Sequence, residues 1–311
     1  MTNSGDNNTA TGNNALLNNI SGASNTATGV SALQSNTYGQ INTAIGMSAL
    51  QSNTTGFRNT AIGFEALLNN NDPTNQGATY NTATGSFALH SNTAGSSNTA
   101  TGDAALNLNT NGNENTAVGW GALAGNTTGN YNTAIGGEAM AGGNNRNTGS
   151  NNTASGFRAL YFNTTGSSNT ANGNMALFSN TTGNSNTASG TGALELNTTG
   201  YLNTAYGASA LFKNGNGVYN TATGISALYN NISGTQNTAS GAKSFLTTPG
   251  ATIQPPVPMR WTSTLRGLTT RPTALMLSIP TGAARVIRPL VSMLYRKAPE
   301  TTTSAFELQL A

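Results

Sequence analysis

The chain has 311 residues, of which 7% are charged and 6% aromatic, and Gly alone contributes 38. Globular chains average about 25% charged residues, so a conventional aromatic-rich core is excluded, and the absence of Cys excludes disulfides, thiolate metal sites and a Cys nucleophile. The net charge of +3 suggests an anionic partner, but its distribution along the chain removes that suggestion.

The N-terminus, Met1-Thr2-Asn3-Ser4-Gly5-Asp6, has neither a basic nor an apolar region of signal-peptide type. No run of about 18 apolar residues follows anywhere, so no membrane span is encoded. From Asn8 onward the chain is a repeat. Asn-Thr-Ala-x-Gly begins at Asn8, Asn25, Asn42, Asn59, Asn81, Asn98, Asn115, Asn132, Asn152, Asn169, Asn186, Asn203, Asn220 and Asn237. The spacing is 17 residues except for 22 after Asn59 and 20 after Asn132. The full unit reads N-T-A-x-G-x-x-A-L-x-x-N-T-T-G-x-x. The long units carry insertions around Asn71-Asp72-Pro73-Thr74 and Gly142-Gly143-Asn144-Asn145, as surface loops of a stacked array tolerate.

Two Gly and several Asn and Thr per unit disfavour a helix. Unit position 4 is β-branched in nine of fourteen copies, for example Ile45, Ile62, Val118 and Ile135, and also accepts Ser155, Asn172 and Tyr206. Such tolerance places position 4 outward. Alternation then turns the Ala of Asn-Thr-Ala inward and its Thr outward. Gly12, Gly29 and Gly46 mark one corner, and Gly22, Gly39 and Gly56 another, where Gly accepts φ > 0. Two short strands and two corners per unit predict one coil of an all-β, parallel β-solenoid. Fourteen coils stacked about 4.8 Å apart give a rod roughly 65 Å long. Asn8, Asn25, Asn42 and their successors become an amide ladder. Leu16, Leu33, Leu50, Leu67 and Leu89, with Met140 and Phe245 as variants, become an apolar stripe. Exposure of that stripe on a lone rod predicts association of several chains, with a homotrimer as the expected count.

The array occupies residues 1–241, with four basic and seven acidic side chains, a net of −3; residues 242–311 carry eight basic and two acidic ones, a net of +6, and eight of the nine Pro. This Pro/Arg-rich tail reads directly as a separate linker or a partner-binding tail. Its periodicity says more: Pro255, Pro272 and Pro289 are 17 apart, as are Met259, Met276 and Met293. Joining the last base of each codon to the first two of the next lets Thr252-Ile253-Gln254-Pro255 encode Asn-Thr-Ala. Thr269-Thr270-Arg271-Pro272 and Val286-Ile287-Arg288-Pro289 permit the same triplet. Met259-Arg260, Met276-Leu277 and Met293-Leu294 permit an Ala codon where the unit has Ala. The expectation is a frameshift between about Ala242 and Thr248. A tail read out of frame has no native fold, and its positive charge is no sign of nucleic-acid binding.

No catalytic, cofactor-binding or metal-binding residues are assigned, and no enzymatic activity is expected. His90 is the one His and sits at a variable position, where a solvated surface role is expected. Asp6, Glu65, Asp72, Asp103, Glu114, Glu138 and Glu195 are scattered, unlike paired hydrolase carboxylates. The Gly are repeat punctuation, with no phosphate-binding fingerprint. Asn-x-Thr sequons follow from the unit itself. Tyr38, Phe57, Trp120, Tyr131, Tyr161, Phe162, Tyr201 and Tyr219 fall at variable positions, either as partner contacts or as scattered surface aromatics.

Asn42-Thr43-Ala44-Ile45-Gly46-Met47-Ser48-Ala49-Leu50 and Asn53-Thr54-Thr55-Gly56 resemble head repeats of YadA-like trimeric autotransporter adhesins, and similar repeats of some phage tail fibres. The likeness spans about residues 8–241. It implies a left-handed β-roll, a homotrimer, an extracellular or cell-surface location, and attachment to a host surface or extracellular-matrix component. The unit here is longer than the usual head repeat, and neither neck, coiled-coil stalk nor membrane anchor is read, so the chain is expected to be a fragment or a fibre of another kind. The alternatives are a phage tail-fibre shaft, an ice-binding solenoid presenting outward Thr rows, and an Asn/Gly-rich disordered or amyloid-prone tract. The Ile, Ser, Asn and Tyr at position 4 count against ice binding, and the phased Ala-Leu pairs against disorder.

Overall fold

The computed structural model describes residues 5–71, 78–143 and 146–244. The tail beyond 244, and with it Phe245 and the suspected out-of-frame segment, lies outside the described residues, as do 72–77 and 144–145 of the two insertions. Each Asn-Thr-Ala-x-Gly begins one three-residue strand, from β1 (Thr9–Thr11) through β14 (Thr238–Ser240). The fourteen described strands form a single parallel sheet in sequence order. Like sits on like: Thr9 pairs with Thr26 and Ala10 with Ala27. The register holds across both long coils, with Thr60 on Thr82 and Thr133 on Thr153. The described residues form an all-β parallel β-solenoid, and the two long coils keep its rungs in step.

Alternation sorts each strand. In β3 (Thr43–Ile45) the Thr is half-buried, Ala44 is buried and Ile45 is exposed. The rest of the coil departs from expectation. A second strand is absent from the described coils, and turns take its place. The reason lies in Ala-Leu. Ala49 and Leu50 are consecutive and both fully buried, as are Ala105 and Leu106. A pleated strand cannot turn two neighbours to one side. The chain solves this by placing the Leu in the left-handed region, with φ of 51° at Leu50 and 52° at Leu106. Residues two before the Leu do the same (Ser48, φ 59°), as do those just before the repeat Asn (Ile41, φ 56°). Non-Gly residues resist this region by about 1–2 kcal/mol each. Here axial backbone hydrogen bonds hold them, from Leu50 N to Ala66 O (3.0 Å) and from Ser48 N to Val30 O (2.9 Å).

Burial of the Leu corrects a second expectation. Leu33 through Leu228, with Met140, lie inside the single chain, at 0–1% exposure. The Leu stripe is the core of the rod and not a seam on its surface. It supplies no reason for several chains to associate.

The two sets of corner glycines answer to different constraints. Gly102 has φ of 132°, and a Cβ there would lie 2.6 Å from Gly119 O. Gly39, in the other set, is not in the positive-φ region. It is Gly for want of room: a Cβ would lie 2.3 Å from Asn36 Oδ1 and 2.5 Å from Gly56 O. In the 22-residue coil Ala78 takes this place, accepting from Asn59 Nδ2 and Asn70 Nδ2 at 2.9 Å each.

The amide ladder is present, and it is bonded more fully than amide to amide. Asn98 Oδ1 accepts the backbone N–H of Asn115 (3.0 Å) as well as its Nδ2–H (3.1 Å), while Asn98 Nδ2 donates to Gly112 O (2.8 Å). A second ladder, on the other Asn of the unit, was not foreseen. Asn109 Nδ2 donates to Asn92 Oδ1 (2.8 Å) and to Gly112 O (3.0 Å). Both rows are buried. Buried amides are costly unless bonded; here the rungs bond one another except between Asn126 and Asn147, and the coils are joined by polar as well as apolar contacts. Burial of Asn53, Asn163, Asn180 and Asn197 also removes those Asn-Thr-Thr sequons from the surface.

Candidate functional site

With the interior built from Ala, Leu and Asn, individuality lies outside. The row just before each repeat Asn is the most telling. Its first member, unit position 16, has a structural use: Ser or Asn there accepts the backbone N–H of the coil below. Ser96 N donates to Asn113 Oδ1 (2.8 Å), Asn113 N to Asn130 Oδ1 (2.8 Å) and Ser150 N to Ser167 Oγ (3.1 Å). Phe57 and Tyr201 occupy this position and do not accept there. The backbone N–H groups of Gln40 and Asn184 therefore lack the acceptor that Ser96, Asn113, Asn130, Ser150, Ser167 and Asn184 supply in the coils between. At both places an aromatic pair stands instead. Phe57 meets Tyr80 edge to face with centroids 5.4 Å apart and planes at 73°; Tyr201 meets Tyr219 at 5.7 Å and 72°. In each pair the Tyr sits in the left-handed conformation at position 17 and donates its backbone N–H to the other residue's carbonyl at 3.2 Å.

The first pair opens into a cleft of about 460 Å³ built on successive coils by Tyr38, Gln40, Thr55, Phe57, Arg58 and Tyr80. Arg58 Nη1 donates to Tyr80 Oη (3.1 Å), and its guanidinium lies over the Tyr80 ring, 5.4 Å from the centroid. Among the described residues no carboxylate pairs with Arg58. Thr55 Oγ1 is buried with no hydrogen-bond partner. Tyr38 and Tyr80 are about half exposed, at 55% and 48%.

The other aromatics divide. Trp120 and Tyr131 are exposed on one coil, at unit positions 6 and 17. Tyr161 and Phe162 are not free surface: Tyr161 stacks on Phe178 at 5.4 Å, and Phe162 packs edge-on to both. Phe212 stacks flat on Tyr229 at 4.9 Å. These ladders stiffen the corner after the Leu.

His90 is corrected from a solvated surface residue to a half-buried one, with Nε2 3.3 Å from Glu65 Oε2 and its ring 5.9 Å from that of Phe87. Glu138 pairs with Arg158. Glu195 lies beside the Phe212 corner, and burial raises its carboxyl above the usual range. Among the described residues no three His, Cys, Asp or Glu gather into a metal-binding group, and no helix is long and apolar enough to cross a membrane. Phe57, Tyr201 and Tyr219 were singled out by sequence as variable-position aromatics; their pairing, and the roles of Gln40, Thr55, Arg58 and Tyr80, were not. Position 16 is Ser or Asn only from Ser96 to Asn184, so Tyr201 ends that run and Phe57 lies outside it.

Comparison with family models, with curated proteins and with solved structures returned no match.

Proposed function

We propose that the chain is a non-enzymatic extracellular fibre or adhesin segment that attaches to a cell or matrix surface through side chains repeated along a rod. The observation that carries this reading is the unbroken register from β1 to β14. Each outward position recurs at a fixed interval, so weak contacts made by separate coils add through multivalency. The resemblance noted in the sequence adds a left-handed winding and a homotrimer. Because the Leu row is interior, we assign a trimer contact to outward apolar residues such as Ile45, Met47 and Ile62, all exposed. Light scattering of the intact chain measures the trimer directly, and a stable monomer removes it.

The attachment reading is tested with the intact chain coupled to beads and offered to cell layers and matrix-coated plates. Binding that rises steeply with bead loading supports it. Absence of binding favours the shaft of a phage tail fibre, where the rod is a spacer. A second reading rests on the Thr at position 2, unbroken from Thr9 to Thr238 and in register along the sheet. A row of this kind could order water as an ice-binding face does; thermal hysteresis in a droplet assay would establish it.

A further inference from the structure

The repeat provides its own control. Fourteen copies of one unit fold alike; most fill positions 14 and 16 with Thr, Ser or Asn, and position 17 varies freely among Ser, Asn, Ile, Leu, Gln, Glu, Arg and Tyr. The fold therefore does not require Tyr38, Phe57, Arg58 or Tyr80. At position 16 it is better served by an acceptor, since Asn or Ser there closes an axial hydrogen bond that Phe57 forgoes. Large side chains that cost the scaffold a bond, stay half exposed and converge on one cleft point to a ligand.

From the chemistry of this cleft we propose that it binds a saccharide carrying a carboxylate, a reading that rests on the attachment function above. The rings of Tyr38, Phe57 and Tyr80 offer faces on which the C–H side of a pyranose stacks. Phe57 and Tyr80 stand on successive rungs about 4.8 Å apart, close to the advance of one sugar ring. Gln40 supplies an amide for ring hydroxyls. Arg58 supplies the charge. Tyr80 holds one arm of its guanidinium, leaving donors for a carboxylate in the bidentate geometry that Arg favours. The cleft is open and mixed polar and aromatic, which suits a sugar better than an apolar peptide anchor. The Tyr201–Tyr219 pair repeats the stacking step eight coils further on at the same unit positions, with no Arg. One polysaccharide chain could engage both.

The test is affinity electrophoresis of the intact chain in gels containing polygalacturonate, dextran or gelatin. Polygalacturonate is expected to retard the protein most. Tyr38→Ala and Phe57→Ala should each weaken that retardation about tenfold. Arg58→Gln should abolish the preference for polygalacturonate over dextran, whereas Lys213→Gln, the same charge change at another corner, should leave it intact. Unchanged circular dichroism and melting temperature establish that the variants fold. Lack of retardation by polygalacturonate, retardation that survives both aromatic substitutions, equal loss in Lys213→Gln, or retardation by gelatin alone would each overturn the proposal. If polygalacturonate does not retard the intact chain while its beads still attach to cells, the saccharide site falls while the attachment reading stands. If the intact chain binds polygalacturonate but no cell surface, the reverse holds.

Discussion

Asn126 and Asn147 are neighbours in the second amide ladder, yet neither bonds the other: Asn126 Oδ1 accepts nothing and Asn147 Nδ2 donates nothing, although both are buried. Elsewhere in that ladder each described Nδ2 reaches the Oδ1 below, as Asn126 does to Asn109 at 2.8 Å. The cause is local. The coil reads Asn147-Thr148-Gly149, one Thr short of Asn-Thr-Thr-Gly. With the corner shortened, Asn147 Oδ1 accepts from Gly149 N (2.9 Å) and from Asn163 Nδ2 (3.3 Å), and the amide is turned away from Asn126.

This coil should be the weak rung of the rod. A buried group left unbonded costs about 1–3 kcal/mol, and two are left here. Inserting a second Thr after Thr148 is expected to let Nδ2 reach both Asn126 Oδ1 and the Gly carbonyl, raising stability by about 1–2 kcal/mol. Amide hydrogen exchange followed coil by coil checks this. The amides between 126 and 152 should exchange before those of neighbouring coils, and the insertion should slow them.

Two substitutions two residues apart should act in opposite directions. Gly102→Ala puts a Cβ at φ of 132° and 2.6 Å from a carbonyl oxygen, against backbone that cannot yield without losing register. A loss of more than about 3 kcal/mol is expected, beyond the ordinary range for single substitutions. Ala104→Gly relieves a left-handed residue (φ 55°) at a position where Gly121 and Gly192 already stand at 62° and 64°. The relief of strain exceeds the entropy cost of Gly, so a gain of up to about 1 kcal/mol is expected. Thermal denaturation of the two variants measures both signs.

Glu195 supplies a pH test. Burial raises its folded-state pKa, so the folded chain holds this proton more tightly than the unfolded one. Its effect on stability is therefore favourable when protonated. That advantage is present below the ordinary carboxylate pKa and is lost as pH rises through the raised value. Glu195→Gln should melt at a higher temperature than the parent at pH 7 and at the same temperature below about pH 4. A difference of equal size at both pH values would assign the effect to packing.

The tail is tested at the level of the gene. In the shifted frame the codons of Pro256-Val257, Thr273-Ala274 and Leu290-Val291 also permit Gly, at the place where the unit has it. The nucleotide sequence is expected to spell Asn-Thr-Ala-x-Gly three times in that frame. Codons that fail to do so would make the tail a genuine segment of this chain.

The seventeen-residue period, the parallel stacking, the inward Ala, the outward position 4 and the first amide ladder were all legible in the sequence. Each follows from identity at fixed spacing, because a residue that recurs once per coil must lie over its own copies. The direction of the Leu was not legible. Ala and Leu are adjacent, and alternation sends one of them outward; only the left-handed turn at residues such as Leu50 brings both inside, and a propensity argument discourages that conformation for Leu. The second Asn ladder needed the depth of the Asn-Thr-Thr-Gly corner, which period alone does not give. The cleft likewise depends on which variable residues share an edge. Phe57 and Tyr80 lie 23 residues apart in the chain and meet because the 22-residue coil keeps its rungs in register. Repetition settled what lies above what, and three-dimensional closure of the coil decided what faces in and what is left outside.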